Sequence, residues 1–192
     1  SITGDNEKNL SYVGFGYNKV DGTIKSYGFE KFTATMNYNN ATKDWLALDF
    51  KTNLAYTKQK GRRDQSDQSQ GIGTASPLGI LFSMNPTAVP YINGKPNTNA
   101  SLDSKVKHPD LALGTSQSFV QGDTYKALMQ GGGTISFTDY LKFKSINAMD
   151  LVNFKQFEYW GPNSIDGASM NGLGNKNDYL STTFTSSNQI LF

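Results

Sequence analysis

His108 is the sole histidine of the 192-residue chain, and cysteine is absent. Cys–His nucleophile pairs and multi-His or thiolate metal centres are therefore excluded. A Ser-His-Asp arrangement could be drawn around His108, but Pro109 follows it and no nucleophile motif is present. Carboxylate pairs for glycoside hydrolysis depend on three-dimensional spacing. Asp49 is the best-placed carboxylate, yet Lys51 shares its face of an extended chain, so a strand ion pair is the simpler account. Residues 166–178 are rich in oxygen ligands and glycine but lack the D-x-[DN]-x-[DN]-G spacing of a calcium loop, and Asn and Gly serve turns there. No catalytic residue, metal ligand or cofactor is expected, and the chain does not read as an enzyme. Recognition remains. Tyr159 and Trp160 stand where a strand gives way to a long loop, and flat rings make platforms for sugars or peptide side chains. They are the candidate ligand contacts; a place in an aromatic girdle or in loop packing accounts for them equally well.

The elements that position these residues are strands. In the stretch 46–56, Leu46, Leu48, Phe50, Leu54 and Tyr56 fall on one side of an extended chain, and Ala47, Asp49, Lys51, Asn53 and Ala55 on the other. Such period-two alternation marks a strand of about ten residues, the length that crosses an outer membrane as one stave of a barrel. A soluble β-sandwich would use the same pattern. The chain is 36% hydrophobic, with a mean hydropathy of -0.51, yet carries 10 Tyr, 12 Phe and 2 Trp. Polar on average and aromatic-rich suits a membrane barrel, and also a carbohydrate-binding sandwich. Eighteen basic against 16 acidic residues give a net charge of +2, too balanced for a nucleic-acid partner. No apolar run is long enough for a transmembrane helix. Ser1-Ile2-Thr3-Gly4-Asp5-Asn6 is no signal peptide, so an exported protein would contain this chain as a processed or internal piece.

Alternation places further strands at 9–17, 32–39, from Tyr125 through Phe137, from Leu141 to Trp160, and from near Tyr179 onward. The connections run medium (18–30), short (40–44), very long (about 58–124), short (138–140) and long (about 161–178), with a short helix expected over 76–84. Short turns at one end of the strands and long loops at the other is the outer-membrane arrangement. Trp45 and Tyr140 lie at the tight turns, where an interfacial aromatic girdle would place them. The expected fold is all-β: a partial antiparallel transmembrane barrel of about six strands, one incomplete barrel domain spanning residues 1–192. The alternative is a secreted sandwich that binds glycans.

Four pieces also carry a resemblance over most of the chain. They are Gly4-Asp5-Asn6-Glu7-Lys8 leading into Tyr12-Val13-Gly14-Phe15-Gly16-Tyr17 and Asp21-Gly22-Thr23-Ile24; Asp44-Trp45-Leu46 with Asn53-Leu54-Ala55-Tyr56-Thr57; Asn85-Pro86 with Val89-Pro90-Tyr91, ahead of His108-Pro109; and Tyr159-Trp160-Gly161-Pro162 through Asp166-Gly167-Ala168-Ser169 to Asn171-Gly172. In order and spacing they resemble the SusC/RagA family of TonB-dependent outer-membrane transporters, in the early barrel after the plug. The resemblance implies a whole protein that imports oligosaccharides or peptides across a bacterial outer membrane. Its implied partners are a SusD-like surface lipoprotein, TonB acting through a plug region absent from this chain, the remaining strands of the barrel, and outer-membrane lipid. The family pattern departs here in that no plug or TonB box is present and the strands are too few to close a barrel. This chain would then be a fragment supplying wall and external loops, with Asp49, Lys51 and Asn53 facing the lumen and Leu48, Phe50 and Leu54 facing lipid.

Overall fold

The computed structural model describes residues 1–6, 9–23, 27–61, 87, 89, 91–96, 119–162 and 170–192. Its strands are β1 Ile2–Asn6, β2 Asn9–Asp21, β3 Gly28–Lys43, β4 Leu46–Gly61, β5 Tyr91–Ile92, β6 Lys95–Pro96, β7 Phe119–Ser136, β8 Lys142–Trp160 and β9 Leu173–Leu191. Seven of them form one antiparallel sheet in the order β1-β2-β3-β4-β7-β8-β9, while β5 and β6 form a separate two-stranded hairpin. The all-β antiparallel expectation holds, with seven strands where alternation gave about six. The additional strand is β1, whose sequence ITGDN offers one large apolar residue and so no alternation to read. Among the described residues no second sheet covers the first, and the two-layer sandwich is not the architecture. No α-helix occurs among them either. The segment expected to be helical, 76–84, lies outside the described residues, as do His108 and residues 163–169.

The strands run further than their apolar alternation. β4 continues to Gly61 and β7 begins at Phe119, so the very long connection is 62–118. β9 begins at Leu173, and β2 and β3 are joined through 22–27 only. β8 and β9 have 19 residues each, and toward the ends of such long strands, as at residues 174–178 and 58–61, both faces carry polar residues, so the apolar periodicity fades while the backbone ladder continues.

Register shows how the connections sort. At one end β3 passes to β4 through Asp44 and Trp45, and β7 to β8 through residues 137–141. The Ser136 amide donates to the Trp45 carbonyl (2.8 Å) and the Phe137 amide to that of Leu141 (2.9 Å); the Leu141 amide donates to Thr138 Oγ1 (3.0 Å). The opposite end carries 22–27, 62–118 and 161–172. In the β5–β6 hairpin, Asn93 (φ 52) and Gly94 (φ 73) take the left-handed conformation, the usual signature of a two-residue Asn-Gly turn.

Candidate functional site

Because cross-strand partners share a face, the register sorts side chains into rows. One row joins Val13, Met36, Thr52, Met129, Met149 and Phe184; the next joins Phe15, Ala34, Leu54, Ala127, Leu151 and Thr182. These make an apolar face on which Phe15 and Phe184 are 80% and 68% exposed. So much exposed apolar surface on contiguous strands requires a covering medium or partner. Toward the long-connection end follow Tyr17, Phe32, Tyr56 and Tyr125. Their rings form a continuous line, with centroids 4.7, 6.2 and 4.9 Å apart in turn. One step higher the same strands present Lys19, Glu30, Lys58, Asp123, Lys155 and Asp178, each directly opposite a residue of the other sign. Lys19 Nζ lies 3.9 Å from Glu30 Oε1; Asp123 accepts from the Tyr56 hydroxyl (2.7 Å) and Gln121 Nε2 (3.3 Å); Asp178 accepts from Asn153 Nδ2 (3.1 Å). An apolar band, an aromatic line and a charged row thus stack in order.

The height of the band matches a bilayer. Twelve residues of β4 separate Leu46 from Lys58. That is about 40 Å of strand at 3.3 Å per residue, or roughly 30 Å of height at a tilt near 40°. Half-exposed Trp45, with Phe137 and Tyr140 more exposed still, stands at the tight-turn end. The two aromatic zones therefore bracket about one hydrocarbon thickness.

The opposite face is predominantly polar. Asn37, Lys51 and Gln130 share one row; Thr35, Asn53, Leu128 and Asp150 share another, in which Thr35 Oγ1 donates to Asn53 Oδ1 (3.0 Å). The expected Asp49–Lys51 ion pair does not form. The Asp49 carboxylate instead occupies the space that a side chain at Gly132, its cross-strand partner, would need. The division of β4 into Leu48, Phe50 and Leu54 on one face and Asp49, Lys51 and Asn53 on the other is as expected.

Tyr159 lies on the apolar side of β8, above the charged row, with its ring 5.8 Å from that of Phe119; Phe119 in turn is 5.6 Å from Phe157. Trp160, the second candidate contact, follows Tyr159 in the same strand and pairs through its backbone with Leu173. The structure joins the Tyr159 ring to those of Phe119 and Phe157. On the polar side of this end Glu158 is only 3% exposed and accepts from Gln156 Nε2 (2.7 Å). Sequence reasoning missed Glu158, because a lone Glu inside an aromatic run carries no signal of burial. Among the described residues no group of three or more His, Asp or Glu residues is placed to hold a metal.

No family model matches the chain, and no curated protein matches it. Solved structures do. The chain is similar to part of the RagAB peptide importer in its closed-closed state, with a TM-score of 0.73, 16% identity and coverage of 97% of this chain and 20% of that one. A second structure of the RagAB peptide transporter gives a TM-score of 0.69 and 16% identity, covering 95% of this chain and 20% of the other. The present chain thus spans about a fifth of the length of the transporter chains it matches. At this identity the likeness establishes the fold: one open antiparallel sheet that superposes on a fifth of a transporter chain.

Proposed function

We propose that the chain is a section of the wall of an outer-membrane β-barrel importer of the SusC/RagA kind, taking up peptides or oligosaccharides. The observation that carries this reading is the apolar band on one face, bracketed by aromatic zones about one bilayer apart, in a sheet whose short connections gather at one end. The apolar face meets lipid. The polar face lines the lumen, where Lys51, Asn53, Gln130 and their neighbours meet a plug or passing substrate. Among the described residues β1 and β9 each pair on one side only, and a bilayer does not tolerate open sheet edges, so both join further strands of the barrel wall. The long connections 62–118 and 161–172 face outside, toward a SusD-like surface lipoprotein. TonB would act through a plug domain, and this section contributes containment and external surface without chemistry of its own.

The structurally similar RagAB protein is a peptide importer, which favours peptides within the proposed substrate range. Deleting the parent gene should abolish uptake of a labelled oligopeptide pool or of a labelled oligosaccharide pool, and the protein should fractionate with outer-membrane vesicles. A surface lipoprotein should copurify in mild detergent. Unchanged uptake of both pools, with the protein recovered from the soluble secreted fraction, would overturn the proposal.

A further inference from the structure

The apolar face is not uniform from strand to strand. β4 presents Leu46, Leu48, Phe50, Thr52, Leu54 and Tyr56 to it, a nearly unbroken apolar column. On β8 and β9 the same face carries Ser145, Asn147, Asn153, Thr182, Ser186 and Asn188 between its apolar residues. Four of these form a block, with Ser145 opposite Asn188 and Asn147 opposite Ser186. Phe143 and Ile190 close the block at one end, and Met149 and Phe184 at the other, so it is not the polar margin of the band. Asn147 stands four residues from Phe143 and eight from Lys155. Four residues are about 13 Å of strand and roughly 10 Å of height, which sets the amide well inside a 30 Å hydrocarbon layer.

Asn147 Nδ2 donates to Ser145 Oγ (3.2 Å), and Asn188 Nδ2 donates to Ser186 Oγ (3.3 Å). Each bond uses one N–H, and a primary amide has a second N–H and a carbonyl oxygen. Both amides are exposed, and no further hydrogen bond engages them among the described residues. Hydrocarbon supplies neither donor nor acceptor, so a block of this kind calls for a protein cover. Beside it β7 is bare: Gly131 lies opposite Asn147 and Gly133 opposite Ser145. A Cβ added at Gly131 would meet nothing within 4 Å. A polar knob therefore stands next to a hole.

We infer that this block is a contact between two copies of the protein in the membrane, with a twofold axis along the bilayer normal between β7 and β8. The inference rests on the proposed orientation of the sheet, with the apolar face toward lipid. Two copies inserted the same way round are related by an axis along the normal, so residues beside the axis meet their own counterparts. Such a surface must be its own complement. The block holds no charge that would repel its copy. An asparagine amide complements itself, the spare N–H of one donating to the carbonyl oxygen of the other. The bare backbone at Gly131 gives the partner's Asn147 room to enter, as small residues do where membrane elements approach closely.

The test uses the full-length protein in outer-membrane vesicles. On mild oxidation Asn147→Cys should join two copies through a disulfide and double the mass on a non-reducing gel. The parent protein, Phe15→Cys on the same face and Lys126→Cys on the polar face should not. Extracted in mild detergent, the protein should be a dimer by mass photometry. Asn147→Leu should raise its dissociation constant about eightfold, the loss of two amide hydrogen bonds of average strength for a membrane. Gly131→Trp, which fills the hole, should insert in the membrane and be recovered as monomer. A nitroxide at Met36→Cys reports orientation separately: collision with oxygen rather than a nickel chelate places this face in lipid. Oxygen preference with no doubled band for Asn147→Cys overturns the contact alone. An adduct of any other mass does the same and gives the block to a different protein. Equal joining through Phe15→Cys, or unchanged or tighter association of Asn147→Leu, also overturns it. Nickel preference overturns the orientation and the contact together.

Discussion

Leu54→Arg and Asn53→Arg place the same charge on adjacent residues of β4, one on each face. Leu54 is four residues below Lys58, which puts it roughly 10 Å beneath the charged row and some 5 Å from the middle of a 30 Å band. An arginine on the lipid face costs about 2–4 kcal/mol at the midplane and falls toward zero at the interfaces. For Leu54→Arg the expected loss is therefore about 2–3 kcal/mol, a factor of roughly 30 to 150 in the folding equilibrium. Leu54 is 45% exposed within the sheet, so little of the loss comes from packing and most of it from the lipid. Asn53→Arg faces water among polar neighbours and should stay within about 0.5 kcal/mol. Denaturant unfolding of the full-length protein in phosphatidylcholine vesicles measures both. If Asn53→Arg costs as much as Leu54→Arg or more, the faces have been assigned the wrong way round.

Tyr56→Phe keeps the ring line but removes the hydroxyl that donates to Asp123, and should cost about 1 kcal/mol in the same unfolding assay. Asp123→Lys would set three ammonium groups side by side with Lys58 and Lys155; the expected loss of about 1 kcal/mol at low ionic strength should shrink in 1 M salt. Thr52 Oγ1 is buried on the apolar face with no hydrogen-bond partner, so Thr52→Val should be neutral or stabilising by up to about 1 kcal/mol. Gly132→Ala brings a methyl onto the Asp49 carboxylate, which must turn aside, so the gain of about 0.5–1 kcal/mol expected for Ala over Gly within a strand should appear in full only when Asp49→Ala is added, as a double-variant cycle would measure.

Legibility in the sequence followed the apolar band. Where one face is apolar and the other polar, side chains alternate, and Leu46 to Tyr56 could be placed and split into faces from residue types alone. Outside the band that constraint lapses. Glu30-Lys31 at the start of β3 and Lys58 to Gly61 at the end of β4 read as loop, yet they continue the ladder, because a backbone already paired gains a hydrogen bond per residue whatever its side chains. β1 was invisible for the same reason. Local turn chemistry was fully encoded but passed over at Asn93-Gly94, where both residues take positive φ; a hairpin with two residues per strand has no apolar alternation to draw attention to it.

The rows of the candidate surface were illegible for a different reason: they exist only in the register. Lys58 in the sequence belongs to the run Lys58, Lys60, Arg62, Arg63, which reads as a solvated basic loop. In the sheet it lies between Glu30 and Asp123, and its charge is met row-wise by residues far away in the chain. Tyr159 makes the converse case. In the sequence its neighbours are Glu158 and Trp160, whereas the register gives it the ring of Phe119, forty residues away. In a meander, function is distributed across strands at constant height, so any surface this wall offers to lipid or substrate is composed of one or two residues from each strand. A substitution should therefore act through its row, and variants at Lys19, Lys58 and Lys155 should resemble one another more closely than variants at Lys58 and Gln59. That ordering, measured as salt sensitivity of unfolding, would fail if the charges acted along the strand rather than across it.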